Sequence, residues 1–385
     1  MKLLIMTGPL FPQPGNNANL IGKLIPHLLA AGQEVHLFSA AFGSDEKMLP
    51  SDYLGVPVHW AMDQKQDWRR RLLYPAVSKL IDPHGFSDAL QVQILLGELK
   101  TVRRVFSFDA VLSTSEPFTM ACTAAQLSDV RKVLYVMDPP ACVSNGRETV
   151  FRNRILPSIL KSQDVLITTP FIMDALKEQG FPIPKKAETV GFPLITSSRV
   201  DGQKHETGKI RLLYCGWLYS DIRSPKYFLD ILSRLDERFE VTFMGKECEK
   251  LQERFTIKTK AKIIAMPQQP YEAALQAMAD ADILINIGNS VPVHMPSKTL
   301  EYINTGKPMV NFYKLAECPT LFYTKRYPLA LNIYEGNGNI EAATARFVRF
   351  CEENIGKALD RVFVSNNYRE CTPKYIAEQI CRLTD

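Results

Sequence analysis
The sequence predicts an α/β protein: two doubly wound, Rossmann-like lobes with parallel sheets, facing each other across a cleft. Three observations predict it. Apolar runs of strand length alternate with amphipathic stretches along all 385 residues, the rhythm of consecutive βαβ units. The runs are nearly continuous in Val, Ile and Leu, as expected of strands buried on both faces. The rhythm stops once, in the polar segment 196–209, and then restarts, which marks a linker. The expected divisions are 1–195, the linker 196–209, 210–365, and a terminal helix within 366–385 that packs back on the first lobe. Open α/β sheets bind ligands outside the carboxyl ends of their strands, so the cleft is the expected site.

The chain opens on Met1-Lys2-Leu3-Leu4-Ile5-Met6-Thr7-Gly8. Its apolar core is too short for a signal peptide and lacks a cleavage site, so it is read as a first buried strand at 3–7. Further first-lobe strands are expected at 35–40, 56–60, 110–114, 133–138, 165–169 and 189–193, with amphipathic helices at 19–31 and 153–162. The second lobe is expected to contain strands at 211–217, 241–245, 262–265, 283–287, 309–313 and 329–333. Its expected helices are 226–236, 271–279, 297–304 and 340–354, followed by the terminal helix 373–383. Ser224-Pro225 gives the first of these a start signal, an N-cap serine with proline at the first helical position.

Composition narrows the function. The eight cysteines are scattered without a CxxC pair, which points to core thiols in a reduced compartment and not to zinc or a disulfide framework. A net charge of +5 suits anionic small molecules or an acidic membrane surface and is too weak for nucleic acid. No apolar run approaches the ~18 residues that span a bilayer, and a cytoplasmic protein is expected. Trp68-Arg69-Arg70-Arg71-Leu72-Leu73-Tyr74-Pro75 offers peripheral contact with the inner face of a membrane, set against a solvated charged helix start.

The most informative stretch is Pro296-Ser297-Lys298-Thr299-Leu300-Glu301-Tyr302, followed by Gly306-Lys307-Pro308. Ser297 and Lys298 stand at the start of a short helix, where backbone amides and the helix dipole favour phosphate. Glu301 lies on the same face, ~6 Å along the axis from Ser297, placed to accept hydrogen bonds from ribose hydroxyls. A second cation, Arg223, follows Gly216 in the loop after the first strand of that lobe. Arg forks onto phosphate oxygens, and glycine lets backbone approach a ligand. In the first lobe, the loop from Gly8 to Ala18 contains Gly15 and Asn16 and is long for a βα connection. Asp138 ends a buried strand, where it can take a hydroxyl proton or cap a turn. Asp280-Ala281-Asp282 has the spacing of a metal-binding pair but sits at element boundaries, and no metal is expected.

These residues resemble the nucleotide-sugar site of GT-B glycosyltransferases, in particular the large retaining group that includes bacterial polysaccharide and lipopolysaccharide transferases. The resemblance runs through residues 285–290, the Pro296–Pro308 string, the loop 12–18, and the strands ending at Ser115-Glu116-Pro117 and Met137-Asp138-Pro139. It implies that Glu301 holds the donor ribose, that Lys298 and Arg223 bind the diphosphate, and that Gly15 and Asn16 lie near phosphates and acceptor. It also implies that Asp138 is an acid on the acceptor side. The chain departs from the pattern at Val293, where the first Glu of the family's E-x7-E motif falls, with Asn289 and His294 as substitutes. It departs again at Met137, where many members carry His, and at Pro139-Pro140 after Asp138.

The function expected is metal-independent transfer of a sugar from a nucleoside-diphosphate sugar to a hydroxyl of a glycan or lipid-linked acceptor, in cell-surface polysaccharide synthesis. No cofactor beyond the donor is expected, and the base is left open. Retention is implied only by the resemblance. The alternatives are a nucleotide-sugar 2-epimerase-like isomerase and a non-catalytic nucleotide-sugar-binding protein.

Overall fold
The computed structural model describes residues 1–10, 15–41, 49–62, 86–138, 155–197, 199–202, 208–218, 222–336 and 338–384. The segment 68–75, residues 11–14 of the first-lobe loop, Pro139-Pro140 and the start of the 153–162 helix lie outside the described residues. The chain divides into two compact units. One comprises Met1–Pro193 with Glu370–Asp385, and the other Leu194–Arg369.

The first unit is built on eight strands: β1 (Lys2–Thr7), β2 (Glu34–Ala41), β3 (Asp52–Tyr53), β4 (Val56–Met62), β5 (Ala110–Thr114), β6 (Arg131–Val136), β7 (Val165–Thr168) and β8 (Lys186–Thr189). Their order across the sheet is β3-β4-β2-β1-β5-β6-β7-β8. All neighbours are parallel except the short β3–β4 pair. Five of the six residues of β1 and all of β5 are buried, as their unbroken apolar runs require. The order reverses between β1 and β5. That switch point places the loop carrying Gly15 and Asn16 beside the loop after β5, and Asn17 Nδ2 donates to Glu116 O at 3.3 Å across them.

Two expectations need correction here. The helix expected at 19–31 is two helices, Asn16–Gly22 and Ile25–Ala30. Pro26 lies in the first turn of the second, and without an N–H it cannot bond back to Gly22, so the ladder restarts. The strand expected at 189–193 lies earlier, at β8, whose four residues are exposed or half-buried. An edge strand has one neighbour and little core to face, so no apolar run marks it. The buried Val190 and Phe192 that suggested a strand lie just past its end.

The chain returns to the first unit through the helix Pro373–Thr384. Arg382 Nη2 donates to Glu188 Oε2 at 2.7 Å, and Lys186 Nζ donates to Leu383 O at 3.0 Å. Both bonds cover the polar edge of β8.

A histidine pair bridges β2 and β4. His36 Nδ1 and His59 Nε2 share a hydrogen bond at 2.8 Å, and the His36 ring stacks on Phe106 at 3.7 Å. Burial lowers both imidazoles below their ordinary 6.5; Lys2 adds to the effect at His36 against Glu34, and His36 adds to it at His59. The neutral rings are therefore favoured in the folded state, and the unfolded chain takes up protons first as the pH falls. Stability is fully present above the unfolded value and is lost as the pH drops from ~6.5 toward the depressed folded values. We expect the urea midpoint of the wild type to fall between about pH 7 and pH 5, and His59→Gln to flatten that fall. A midpoint equally pH-dependent in wild type and variant would remove the pair as the cause.

The second unit is a six-stranded parallel sheet: β9 (Ile210–Cys215), β10 (Phe239–Met244), β11 (Lys262–Met266), β12 (Ile283–Ile287), β13 (Met309–Tyr313) and β14 (Ala330–Tyr334). The order is β11-β10-β9-β12-β13-β14, and the reversal falls between β9 and β12. Phe228, Phe243, Phe312 and Phe347 cluster beneath, with Phe228 5.2–6.0 Å from each of the others. Burying a side chain of this size contributes about 1.5–3 kcal/mol, so this cluster anchors the unit's helices to its sheet.

A ladder of asparagines crosses the sheet. Asn286, Asn311 and Asn332 are register partners on β12, β13 and β14. Asn286 Nδ2 donates to Asn311 Oδ1 at 2.7 Å, and Asn311 Nδ2 donates to Asn332 Oδ1 at 2.8 Å. Thr299 Oγ1, in the first turn of the helix Lys298–Thr305, donates to Asn286 Oδ1 at 3.3 Å. The mutual bonding offsets the cost of burying these amides and ties the helix to the sheet.

Candidate functional site
The switch point of the second unit brings together the loops after β9 and β12, and most of the expected site residues lie there. Gly15, Asn16 and Asp138 belong to the first unit. Gly15 is the N-cap of the helix Asn16–Gly22, its N–H donating to Pro9 O at 2.9 Å, and Asn16 is exposed. Asp138 lies half-buried two residues past β6.

The helix Lys298–Thr305 begins at Ser297, whose side chain caps nothing. The amides of Ser297 and Lys298 have no acceptor among the described residues, leaving the positive end of the helix open to an anion. The helix stops at Gly306, at φ 78°, where a side chain would meet Leu359 O at 2.5 Å. Its far end is anchored: Asn304 Oδ1 accepts from Thr196 N at 2.9 Å, and Gly306 O accepts from Leu359 N at 2.9 Å.

Lys298 Nζ donates to Glu301 Oε2 at 2.6 Å, with side chains 23% and 11% exposed. Burial alone pulls the ammonium pKa down, but the Glu301 carboxylate and Cys215 outweigh it and the net shift is upward. Lys298 therefore stays charged at neutral pH. Tyr302, on the next position of the helix, accepts from Cys215 N at 2.7 Å and donates to Cys215 O at 3.1 Å. These two bonds fix the end of β9, and so Gly216, against the helix.

The second cation is buried. Arg223 is 7% exposed; its Nε donates to Asn289 Oδ1 at 3.0 Å and its Nη1 to Trp217 O at 3.3 Å. Asn289 in turn bonds both Nδ1 and the carbonyl of His294. Arg223, Asn289 and His294 thus form one hydrogen-bonded group and Lys298 with Glu301 a second, while Tyr302 ties the same helix to Cys215. Gly216 joins them: it follows Cys215, and a Cβ on it would stand 3.6 Å from Arg223 Nη1. Beside it, burial pushes the Tyr214 phenol up to about 12 against the pull of Arg223, and its hydroxyl donates to Trp217 O at 3.1 Å.

Val293 has φ 68°. A β-branched residue in the left-handed region is an outlier, and it stands in the loop that carries Asn289 and His294 to Ser297. Strain of this kind concentrates at functional sites. Relief of the left-handed penalty, ~1–2 kcal/mol, exceeds the chain-entropy cost of glycine, ~0.5–1 kcal/mol. We expect Val293→Gly to raise the melting temperature slightly; a lowered one would mean that the valine packs better than it strains.

Asp282, in the Asp-Ala-Asp stretch, receives bonds from Arg211 Nε at 3.2 Å and Nη2 at 3.0 Å, and Asp280 accepts from Gln276 at 2.9 Å. Both acids are engaged at element boundaries. Among the described residues no cluster of His, Cys, Asp and Glu is arranged to hold a metal.

Tyr302, Asn286 and Asn311 receive no role in the sequence analysis, although the first two lie in the stretches that carry the resemblance. The signal was present: each asparagine interrupts an apolar run, Ile-Leu-Ile-Asn-Ile and Met-Val-Asn-Phe-Tyr, and a polar residue at the centre of a buried strand requires a partner.

No protein-family model and no curated protein sequence matches the chain. Solved structures do match it in fold along its whole length. The lipopolysaccharide outer core galactosyltransferase WaaB, in its apo form, superposes with a TM-score of 0.65 at 12% identity, covering 100% of this chain and 99% of that one. A sucrose-phosphate synthase from Thermosynechococcus elongatus gives 0.69 at 10% identity, covering 100% and 98%. Anabaena Alr3699/HepE, solved with UDP and glucose, gives 0.63 at 13% identity, covering 98% of both chains. At these identities the likeness speaks for the fold. The two parallel-sheet units make this chain a GT-B protein in architecture, with the Lys298 and Arg223 groups at the switch point of its second unit.

Proposed function
We propose that the chain is a glycosyltransferase that moves a sugar from a nucleoside-diphosphate sugar to a hydroxyl of a glycan or glycolipid acceptor, in cell-surface polysaccharide synthesis. The observation that carries this reading is the open start of the helix Lys298–Thr305, with a charged lysine held in place by Glu301. The GT-B neighbours support it, and the UDP and glucose in the Anabaena structure make UDP-sugars the first donors to test.

In this reading the diphosphate lies against the Ser297 and Lys298 amides, the Lys298 ammonium and the Arg223 guanidinium, and Glu301 grips the ribose. The bond between the anomeric carbon and the diphosphate oxygen breaks, and the charge left on the diphosphate is stabilised by donors already in position. The acceptor oxygen bonds to the anomeric carbon and gives up its proton, and we assign Asp138 to orient or receive it. Retention of configuration rests on the family resemblance. Peripheral attachment to a membrane belongs to the same proposal.

The test is a transfer assay with UDP-hexoses and a panel of lipid-linked glycans, run alongside titration with UDP. Asp138→Ala is expected to keep UDP affinity and to lose turnover by roughly 10²-fold or more. Near-native turnover would remove Asp138 from the reaction. Val293, standing where the family carries an acid, favours one second reading, a protein that binds the donor without transferring it. UDP binding with no transfer to any acceptor would support that reading instead.

A further inference from the structure
We propose that a cavity in the first unit, at the amino ends of β6, β7 and β8, is a second anion site, and that it takes a phosphate ester with a hydroxyl beside it, the chemistry of a glycerol phosphate group. The site is independent of the donor site, whose cations Lys298 and Arg223 belong to the second unit.

β6, β7 and β8 are parallel neighbours, so their first residues share one edge of the sheet. Arg131 opens β6, Asp164 stands just before β7, and Lys185 just before β8. A cavity of about 550 Å³ lies at this edge, lined by Arg131, Lys161, Lys185 and Lys186 and walled by Pro182-Ile183-Pro184. Its volume is that of a small-molecule site. The two prolines fix their own φ, so the wall is set before a ligand arrives. Asp138 follows the carboxyl end of β6, at the opposite edge of the same sheet.

The four cations of the lining lack counter-charges. Arg131, Lys161 and Lys185 make no side-chain hydrogen bond or ion pair with any described residue. Lys186 Nζ donates to Leu383 O at 3.0 Å, a carbonyl that leaves its charge unbalanced. Asp164 is the one acid of the lining; its Oδ2 accepts from Lys132 N at 2.8 Å, and it pairs with none of the four. Like charges gathered in this way repel, and a bound anion relieves the repulsion. The helix 155–162 ends at this edge, so its dipole opposes an anion and the attraction comes from the side chains. Arg131 supplies the planar fork that fits phosphate oxygens. Gln163 adds a second kind of group. It lines the cavity and is 6% exposed; its Nε2 donates to Ile159 O at 3.1 Å and to Ser162 Oγ at 3.0 Å, while its buried Oε1 accepts from no described residue. Buried acceptors find a donor in protein, water or ligand, and a hydroxyl next to the phosphate is the donor this lining calls for. That chemistry has two sources, a free polyol phosphate and the headgroup of a glycerol phospholipid.

The experiment measures binding of the full chain to glycerol 3-phosphate by calorimetry, and to vesicles of phosphatidylcholine and phosphatidylglycerol in equal parts by sedimentation. The test variant is Arg131→Gln with Lys185→Gln. The control is Lys258→Gln with Lys260→Gln, two exposed lysines of the second unit, which removes the same charge elsewhere. Loss of charge-assisted hydrogen bonds predicts that the test variant weakens binding by roughly 10- to 100-fold, with the control near wild type and Arg131→Lys between them. Lys161→Gln with Lys185→Gln, both exposed, tests the same point without touching the half-buried Arg131. This pattern with glycerol 3-phosphate assigns the cavity to a free ester; the same pattern with vesicles alone assigns it to a lipid headgroup. A wild type that binds neither probe, binding retained in both cavity variants, or equal loss in variants and control would each overturn the proposal. UDP affinity, titrated separately, reads the donor site and should be the same in all of these proteins.

Discussion
Replacing Lys298 by alanine is expected to weaken UDP binding and lower turnover by about tenfold to several hundredfold. The lysine is assigned a charge-assisted hydrogen bond to the diphosphate, of ~1.5–3 kcal/mol, and 1.4 kcal/mol is tenfold. The substitution does a second thing. Glu301 is 11% exposed and bonded to Lys298 at 2.6 Å, and without the ammonium its carboxylate is left to repel the incoming anion. Glu301→Gln in the Lys298→Ala background is therefore expected to recover part of the lost affinity. Affinity for UDP unchanged in Lys298→Ala and in Glu301→Ala would refute the site. Because the ammonium pKa is shifted upward, UDP affinity should show no step from this residue between about pH 6 and pH 9.

Gly245→Ala is expected to destabilise the second unit by about 2–6 kcal/mol and to lose UDP binding with it. The loop after β10 passes directly beneath the loop after β9. A Cβ on Gly245 would lie 2.1 Å from Gly216 O and 2.7 Å from Gly216 C, both backbone atoms. Neither chain can yield easily, since Gly216 N donates to Met244 O at 2.9 Å and Leu218 N to Lys246 O at 3.1 Å. Gly245 also has φ 142°, a backbone state that other residues avoid at a cost of ~1–3 kcal/mol, and overpacking adds ~1–3 kcal/mol. Gly356→Ala provides the comparison. It has φ 75° with nothing within 4 Å of the added carbon, so it bears the left-handed strain alone, ~1–2 kcal/mol. Chemical denaturation of both variants separates the two costs. A loss at Gly245 no greater than at Gly356 would mean that the two loops are free to part.

The course of the chain through the switch point explains why part of the site was legible in the sequence and part was not. Lys298 and Glu301 are three residues apart on one helix, so the period of the helix is enough to predict that they meet. Ser297 could be placed at the helix start for the same reason. Arg223 was identified as a loop cation, but its bond to Asn289 spans 66 residues, and nothing in either segment announces the other. The helix at 170–178 went unmarked although Thr169 caps it, its side chain accepting from Ile172 N at 3.4 Å, and Pro170 opens it. Those are start signals, but they follow the apolar run 165–169 without a break, and the strand pattern masks the helix start.

What the sequence determined by itself was the βαβ rhythm, the division into two parallel-sheet lobes, and the charged pair at the start of one helix. All three follow from periods of two and 3.6 residues and from local start and stop signals, which act over a few positions. The tertiary structure alone decided the rest. It brought the Tyr302 hydroxyl to Cys215 across 87 residues, laid Gly245 against Gly216, and lined up the buried Asn286 and Asn311 with the half-buried Asn332 in one ladder. These contacts depend on strand order, and strand order is settled by how whole faces pack and by which buried polar groups find partners, a property of the assembled sheet that no short segment carries.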